Sequence, residues 1–181
     1  MTFSNCMHVY IFPNFISGTD THEELTIITS GKGKSQLLIS GYRLMVNTSK
    51  MRKNRLTSYF RCIRSDCPAR ALTHGELDPE NVQLKYHNVH PNVHNHPPDE
   101  VGILLALHRH NYRQSARENP QQSPKVAYDK VTEKLIDSLS SPIREEFLQR
   151  LAPYRNSKDQ FYRVRKRCQA VNKRCKVYKK Q

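Results

Sequence analysis

Cys62 and Cys67 are separated by four residues, and His94 and His96 by one. Two soft thiolates and two imidazoles form a common tetrahedral set for Zn²⁺. A four-residue turn can aim both sulfurs at one point. On an extended segment His94 and His96 project to the same side. If the four side chains meet, one ion cross-links the chain across the stretch between Cys67 and His94. In zinc-finger peptides such binding is worth about 10–16 kcal/mol near neutral pH and is coupled to folding. No other feature restricts the fold of this chain as much. His74, His87 and His90 are also nearby, but His90 and His94 would share a face only on a helix, which Pro91 opposes. The alternative from the residues alone is that the cysteines are small buried hydrophobes and the histidines a surface loop. Four protein ligands leave no open position for substrate or water, so the set points to a structural metal.

Composition supports a staple of this kind. The chain has 181 residues, no Trp and a modest aromatic content, and a small core gains from a metal. The formal net charge is +14, which favours polyanionic partners such as nucleic acid. Most of that excess lies after residue 100, and residues 161–181 contain no acid. Five cysteines with no secretory signal fit a reducing compartment, where Cys beside His reads as metal binding. The longest apolar run, Val101–Leu107, is far too short to span a bilayer. Neither a membrane nor a small-molecule substrate is expected as a partner.

The hydrophobic pattern divides the chain. Residues 1–24 show no period and read as a weakly ordered leader. Residues 25–99 read as short strands: Leu25–Thr29, Gln36–Ile39, Tyr42–Thr48, Leu56–Cys62, Ala69–His74 and Val82–Val89. Turn signals at Ser30–Lys34 and Ser40-Gly41 separate the first of them, and Ser49–Asn54 reads as a basic loop. After Asp99 the period becomes helical. Val101–Ala116 forms one helix, followed by a polar linker that reaches Pro124. Ser123-Pro124 and Ser141-Pro142 look like helix starts, and Ser157-x-x-Gln160 like a capping box. The segment 125–181 is then a basic helical region whose last helix carries Phe161, Val164, Cys168, Val171, Cys175 and Tyr178 at 3/4 spacing. The fold class expected is α+β: a small Zn-stabilised antiparallel sheet followed by a C-terminal helical bundle.

The string of motifs resembles the FLYWCH-type zinc finger. The elements that carry the likeness are Ile27/Ile28 with Ser30-Gly31-Lys32-Gly33, Leu38, Gly41-Tyr42, Phe60-Arg61-Cys62, Cys67-Pro68-Ala69-Arg70 and His94-Asn95-His96. The family's opening Phe is replaced by Ile and its Trp by Phe60, swaps that keep an apolar residue. The resemblance implies a Zn²⁺-binding β domain similar to the WRKY and GCM DNA-binding domains and often found in proteins that bind DNA or chromatin. The helices after His96 also look like the region preceding a Mutator-like transposase core, whose catalytic carboxylates would lie beyond Gln181.

Two basic groups are candidates for nucleic-acid contact. Lys50, Arg52, Lys53 and Arg55, with Arg43 ahead of them, fall between or on predicted strands. Arg163, Arg165, Lys166 and Arg167 open a cationic helix that continues through Lys173, Arg174, Lys176, Lys179 and Lys180. Both suit phosphate contact, although basic clusters also occur as plain solvated faces. The Arg-rich string at 163–167 further resembles a nuclear-import signal. No nucleophile, acid–base pair or Gly-rich phosphate loop suggests an enzyme. The expected function is therefore non-catalytic binding of duplex DNA in a nuclear, transcriptional or transposon-derived role. The rival is a protein-interaction adaptor that docks a partner through the helical stripe, for instance at Leu135 or Phe147; another is an inactive transposase fragment.

Overall fold

The computed structural model describes residues 26–52, 54–75 and 94–178, with the side chains of 52, 55 and 171–178 outside that description. The expected leader 1–24, the strand Val82–Val89, and Lys53, His87, His90, Lys179 and Lys180 lie outside the described residues. Five strands, β1 (Thr26–Thr29), β2 (Ser35–Ile39), β3 (Tyr42–Arg52), β4 (Arg55–Cys62) and β5 (Arg70–His74), form an antiparallel meander in chain order. Ser40 and Gly41, at φ 47° and 79°, supply the left-handed pair that a tight two-residue hairpin between β2 and β3 requires.

The third strand is longer than the sequence pattern suggests. Ser49–Arg52, read above as part of a loop, continues the ladder through Lys50↔Thr57, Met51↔Leu56 and Arg52↔Arg55. The ladder runs as far as Arg52↔Arg55, and Asn54, in the connection, has φ 59°. This stretch has no apolar alternation, so periodicity could not reveal it. Backbone pairing and a 2.8 Å bond between the Ser49 and Ser58 hydroxyls hold it instead. An extra residue at Asn47 breaks the register between Val46 and Thr48, and such a bulge adds twist at the root of the extension. Because β2 pairs β3 only from Tyr42 to Met45 and β5 pairs β4 only as far as Thr57, Met51–Arg52 and Arg55–Leu56 project as a short two-stranded ribbon, with Lys50 at its base.

Both faces of β1 and β2 are buried. Ile27, Leu37, Ile39, Leu44, Phe60 and Ala71 cluster on one face. Ile28 and Leu38 turn to the other, where they meet Ile103, Ala106 and Leu107. Those three residues belong to α1 (Glu100–Glu118). Every residue from Ile103 to His108 is buried, the signature of a helix covered on all sides. One side of α1 lies on the sheet. The rest serves as the axis for α2 (Pro124–Ile136), α3 (Ser141–Arg150) and α4 (Tyr154–Tyr178). Val101, Leu104 and Leu105 surround Phe147 of α3. Tyr112 and Ala116 pack with Ala127, Tyr128, Phe161 and Val164. Phe147 is fully buried, so it is core and not part of a docking stripe; Leu148, by contrast, faces solvent.

Helix starts follow the proline signals with two shifts. Ser123 occupies the N-cap position of α2, without a side-chain capping bond, and Pro124 opens its first turn, as expected. The cap of α3 is Ser140, one residue before the expected Ser141. The expected capping box at Ser157 lies inside α4, which begins at Tyr154. Tertiary contacts decide that earlier start: the Tyr128 hydroxyl donates to Ala152 O, and the Tyr154 ring packs edge-on against Tyr128.

His108 sits at the centre of the bundle, 2 % exposed, among Tyr112, Tyr128 and Phe147. The Thr132 hydroxyl donates to Tyr128 O, so the 3.0 Å contact from His108 Nε2 must be an N–H donated to Thr132. Burial, with Arg109 nearby, depresses this imidazole to about pKa 4. Above pH ~6.5 the ring is neutral in both folded and unfolded chains. As the pH falls towards 4, the unfolded chain takes up a proton that the folded one refuses, so stability falls by up to about 3 kcal/mol. Urea unfolding of wild type and His108→Leu, followed by helical circular dichroism from pH 7 to 4, should show this loss in wild type and not in the variant. Acid effects on the metal ligands are common to both proteins and cancel in the difference.

Candidate metal centre and basic surfaces

Cys62 ends β4, and its N–H donates to Ala69 O at 3.2 Å. The chain then turns, with Cys67 N donating to Arg64 O. Arg70 closes this knuckle by donating from Nη1 to the carbonyls of Cys67 and Ala69 at 3.0 and 2.9 Å. Both sulfurs are buried, in a small cluster with Ala69.

Two contacts on either side of the histidines deliver them to the knuckle. Asn95 Nδ2 donates to Asp66 O at 3.1 Å. Three residues beyond His96, Asp99 N donates to Gly41 O at 2.9 Å. Pro98 lies so close over the β2–β3 turn that a Cβ on Gly41 would meet it at 2.5 Å. Gly41 is thus required twice, for its positive φ and for this approach.

The ligating atoms of Cys62, Cys67, His94 and His96 all lie within 4.8 Å of one another. Cys62 Sγ is 3.2 Å from His96 Nε2, Cys67 Sγ 3.4 Å from His94 Nδ1, and the two nitrogens 3.3 Å apart. Metal–ligand bonds of 2.0–2.3 Å at tetrahedral angles give edges of about 3.3–3.8 Å, so these spacings suit one Zn²⁺. The outer contacts agree with that assignment. His96 Nδ1–H donates to Pro97 O at 2.9 Å, which leaves the Nε2 lone pair facing the other ligands. His94 stacks on Tyr42, with ring centroids 3.6 Å apart and planes 3° from parallel. Burial, and secondarily the neighbouring His96, lowers the pKa of His94. That favours the neutral ring a metal needs. Burial raises the Cys62 thiol, so metal uptake must expel its proton. An ion bound here would be held by four side chains with no vacant position; it would supply cross-linking rather than chemistry.

All four expected ligands therefore converge. Several supporting residues were not singled out for these roles: Tyr42 as the His94 platform, Arg70 as the knuckle staple, Asn95 as the tether. All three stand in quoted motifs, but a motif does not say what a side chain touches.

An antiparallel sheet closed by a Cys₂His₂ set defines a zinc-finger class of module. Residues 27–96 match the model of the FLYWCH zinc finger domain. No curated protein and no solved structure matches the chain. The two departures from the family pattern both fall on buried apolar sites: Ile27 and Phe60 pack in one cluster, Ile28 under α1.

The basic residues are divided between distinct places. Arg52 and Arg55 lie on the ribbon and Lys50 at its base, with Lys50 and Met51 exposed. Cys62 is seven residues up β4 from Arg55, about 23 Å at ~3.3 Å per residue, so metal and ribbon occupy opposite ends of the sheet. Arg43 is set apart from the ribbon: it is half-buried, its Nε has no partner, and Asp99 and Arg109 lie close by. On α4, Arg163, Lys166 and Arg167 are exposed. Arg165 has an internal role; it donates to Gln122 O and lies over the Phe161 ring, tying α4 to the α1–α2 connection. Among the described residues, no helix is long and apolar enough to cross a membrane.

Purified protein is expected to carry one zinc per chain, and Cys62→Ser or His96→Ala to lose it together with the sheet signal. Because the aromatic core around Tyr112 and Phe147 lies apart from the ligands, chelation should melt the sheet before the helices. Metal content by emission spectroscopy and circular dichroism check both statements; metal-free protein with an intact sheet would refute them. Gly41→Ala should weaken zinc affinity at least tenfold, since left-handed backbone alone costs a residue with a Cβ about 1–2 kcal/mol and Pro98 must also move. A competition titration with a zinc chelator reads this directly.

Proposed function

We propose that the zinc module presents the β3–β4 ribbon to duplex DNA and binds it without catalysis. The observation that carries this reading is the ribbon itself: a short pair of strands extending beyond β2 and β5, basic at Arg52 and Arg55 with Lys50 at its base, and remote from the metal. The major groove of B-DNA admits a two-stranded β-ribbon. Lysine and arginine there would meet phosphates, and an arginine could also read guanine edges. The zinc fixes the opposite end of the same strands, so it sets the ribbon's geometry without touching the ligand. The net charge of +14 and the exposed cations of α4 support a polyanionic partner and a nuclear location. The family is one of zinc-binding modules; the further step to DNA in a transcriptional or transposon-derived setting is a proposal on charge and shape.

A triple variant, Lys50→Ala with Arg52→Ala and Arg55→Ala, should keep its zinc and sheet yet bind random duplex at least tenfold more weakly near 100 mM salt. The salt slope should also flatten by about 0.9 per phosphate contact removed. Fluorescence anisotropy over a salt series measures both. Equal affinity of variant and wild type, or no duplex binding by wild type at low salt, would refute the reading.

A further inference from the structure

The turn between β1 and β2 was read in the sequence only as a break between strands. The fold places it against helices. Ser30 N donates to Lys34 O, Gly33 N to Ser30 O, and Lys34 N to the Ser30 hydroxyl, which makes the turn a compact loop. Arg113 of α1 donates to Thr29 O at its entrance, and Thr29 N donates to His110 Nδ1. Gln160 of α4 lies over Gly31, 3.2 Å from where a Cβ would be. Between turn and helices is a cleft of about 100 Å³, with Arg113, Arg117 and Arg167 among its lining residues beside Ser30, Gly31 and Gly33.

The charges in this cleft are unbalanced. Arg113 is 5 % exposed and spends one guanidinium nitrogen on a backbone carbonyl. A guanidinium has five N–H donors, so others remain to be used. The charges felt at Arg113 are the like charges of Arg117 and Arg109. Among the described residues the ion pairs are Lys125 with Asp129 and Arg150 with Asp99 and Glu146, none at this cleft. Arg117 and Arg167 are exposed and stand at the rim. Burying a cation without a counter-charge is costly, and the missing partner is an anion. The cleft is well below the few hundred Å³ that a drug-sized ligand fills, so the anion is a small group. Arginine forks match the tetrahedral oxygens of phosphate.

We propose that this cleft is a phosphate-binding site, with Arg113 as its floor and Arg117 and Arg167 as its clamp. The ligand chemistry is a phosphoryl group, either free or presented by a nucleic-acid backbone. The second source rests on the duplex reading above and fits the topology. Ser35 pairs Thr29, and Gln36 pairs Met45, so the turn sits at the same end of the sheet as the ribbon. A duplex seated on the ribbon can reach the cleft with a flanking phosphate.

The test uses the zinc-loaded full chain and avoids Arg113, which also holds Thr29. Inorganic phosphate, titrated at constant ionic strength against chloride, should shift the Gly31 and Gly33 amide resonances saturably. Arg117→Gln with Arg167→Gln should weaken that binding at least tenfold while zinc content stays unchanged. In a second arm, the same variant should lower the salt slope of duplex binding by about 0.9, the contribution of one phosphate. Saturable phosphate shifts without a change in duplex slope establish the cleft as a site for free phosphate. No saturable shift and an unchanged slope would overturn the cleft and leave the ribbon reading standing. Phosphate binding in a chain that does not bind duplex would overturn the ribbon reading and leave the cleft.

Discussion

The return of His94 and His96 to the cysteine knuckle is the contact on which the rest of the molecule depends. It joins residues up to 34 apart in sequence, and closing so long a loop costs chain entropy that a small polar sheet does little to offset. A four-ligand metal offsets it in one step. The same return brings Asp99 to Gly41, and Asp99 then caps α1 by accepting from Gly102 N at 2.8 Å. Asp99 also receives two bonds from Arg150 of α3, at 3.0 and 3.1 Å. The metal site, the first helix and the bundle thus share one short segment. Arg150 holds the Asp99 carboxyl below its usual pKa, though the pair is solvent-exposed and contributes modestly.

Sheet and bundle are coupled again at the far end. Thr29, on the outermost strand, has its N–H and its carbonyl both taken by α1, through His110 and Arg113. Side chains from a helix therefore cover part of an edge that would otherwise be open to strand pairing. Between these two anchors Ile103, Ala106 and Leu107 lie on Ile28 and Leu38. One helix belongs to two cores, which explains its unbroken buried run.

The metal ligands were legible because their chemistry is local to the side chain: few residue types bind zinc, and spacing limits how they can meet. The strands at Ile27-Ile28 and Leu37-Leu38 were legible as strands, but that they are covered on both faces was not. The ribbon was not legible. Its residues show no apolar alternation, and only the register of the backbone ladder makes Ser49–Arg52 a strand. Nor could the pattern distinguish Arg165, bound internally, from Arg163 and Arg167, exposed on either side, since all three share one charge and one helix. The helix start at Tyr154 escaped for a related reason: a tyrosine hydroxyl from α2 sets it, not the residues at the start itself.

By itself, then, the sequence determined most of the element types, the four candidate ligands, the zinc-finger likeness of residues 27–96 and the sign of the net charge. These follow from side-chain chemistry and from periods of two and 3.6 residues, which each segment carries whatever it packs against. Only the tertiary structure decided which cations stay exposed, that the metal and the ribbon occupy opposite ends of the sheet, and that Arg113, Arg117 and Arg167 meet at one cleft. Those outcomes depend on packing between segments far apart in the chain, where register and burial decide what a residue can reach.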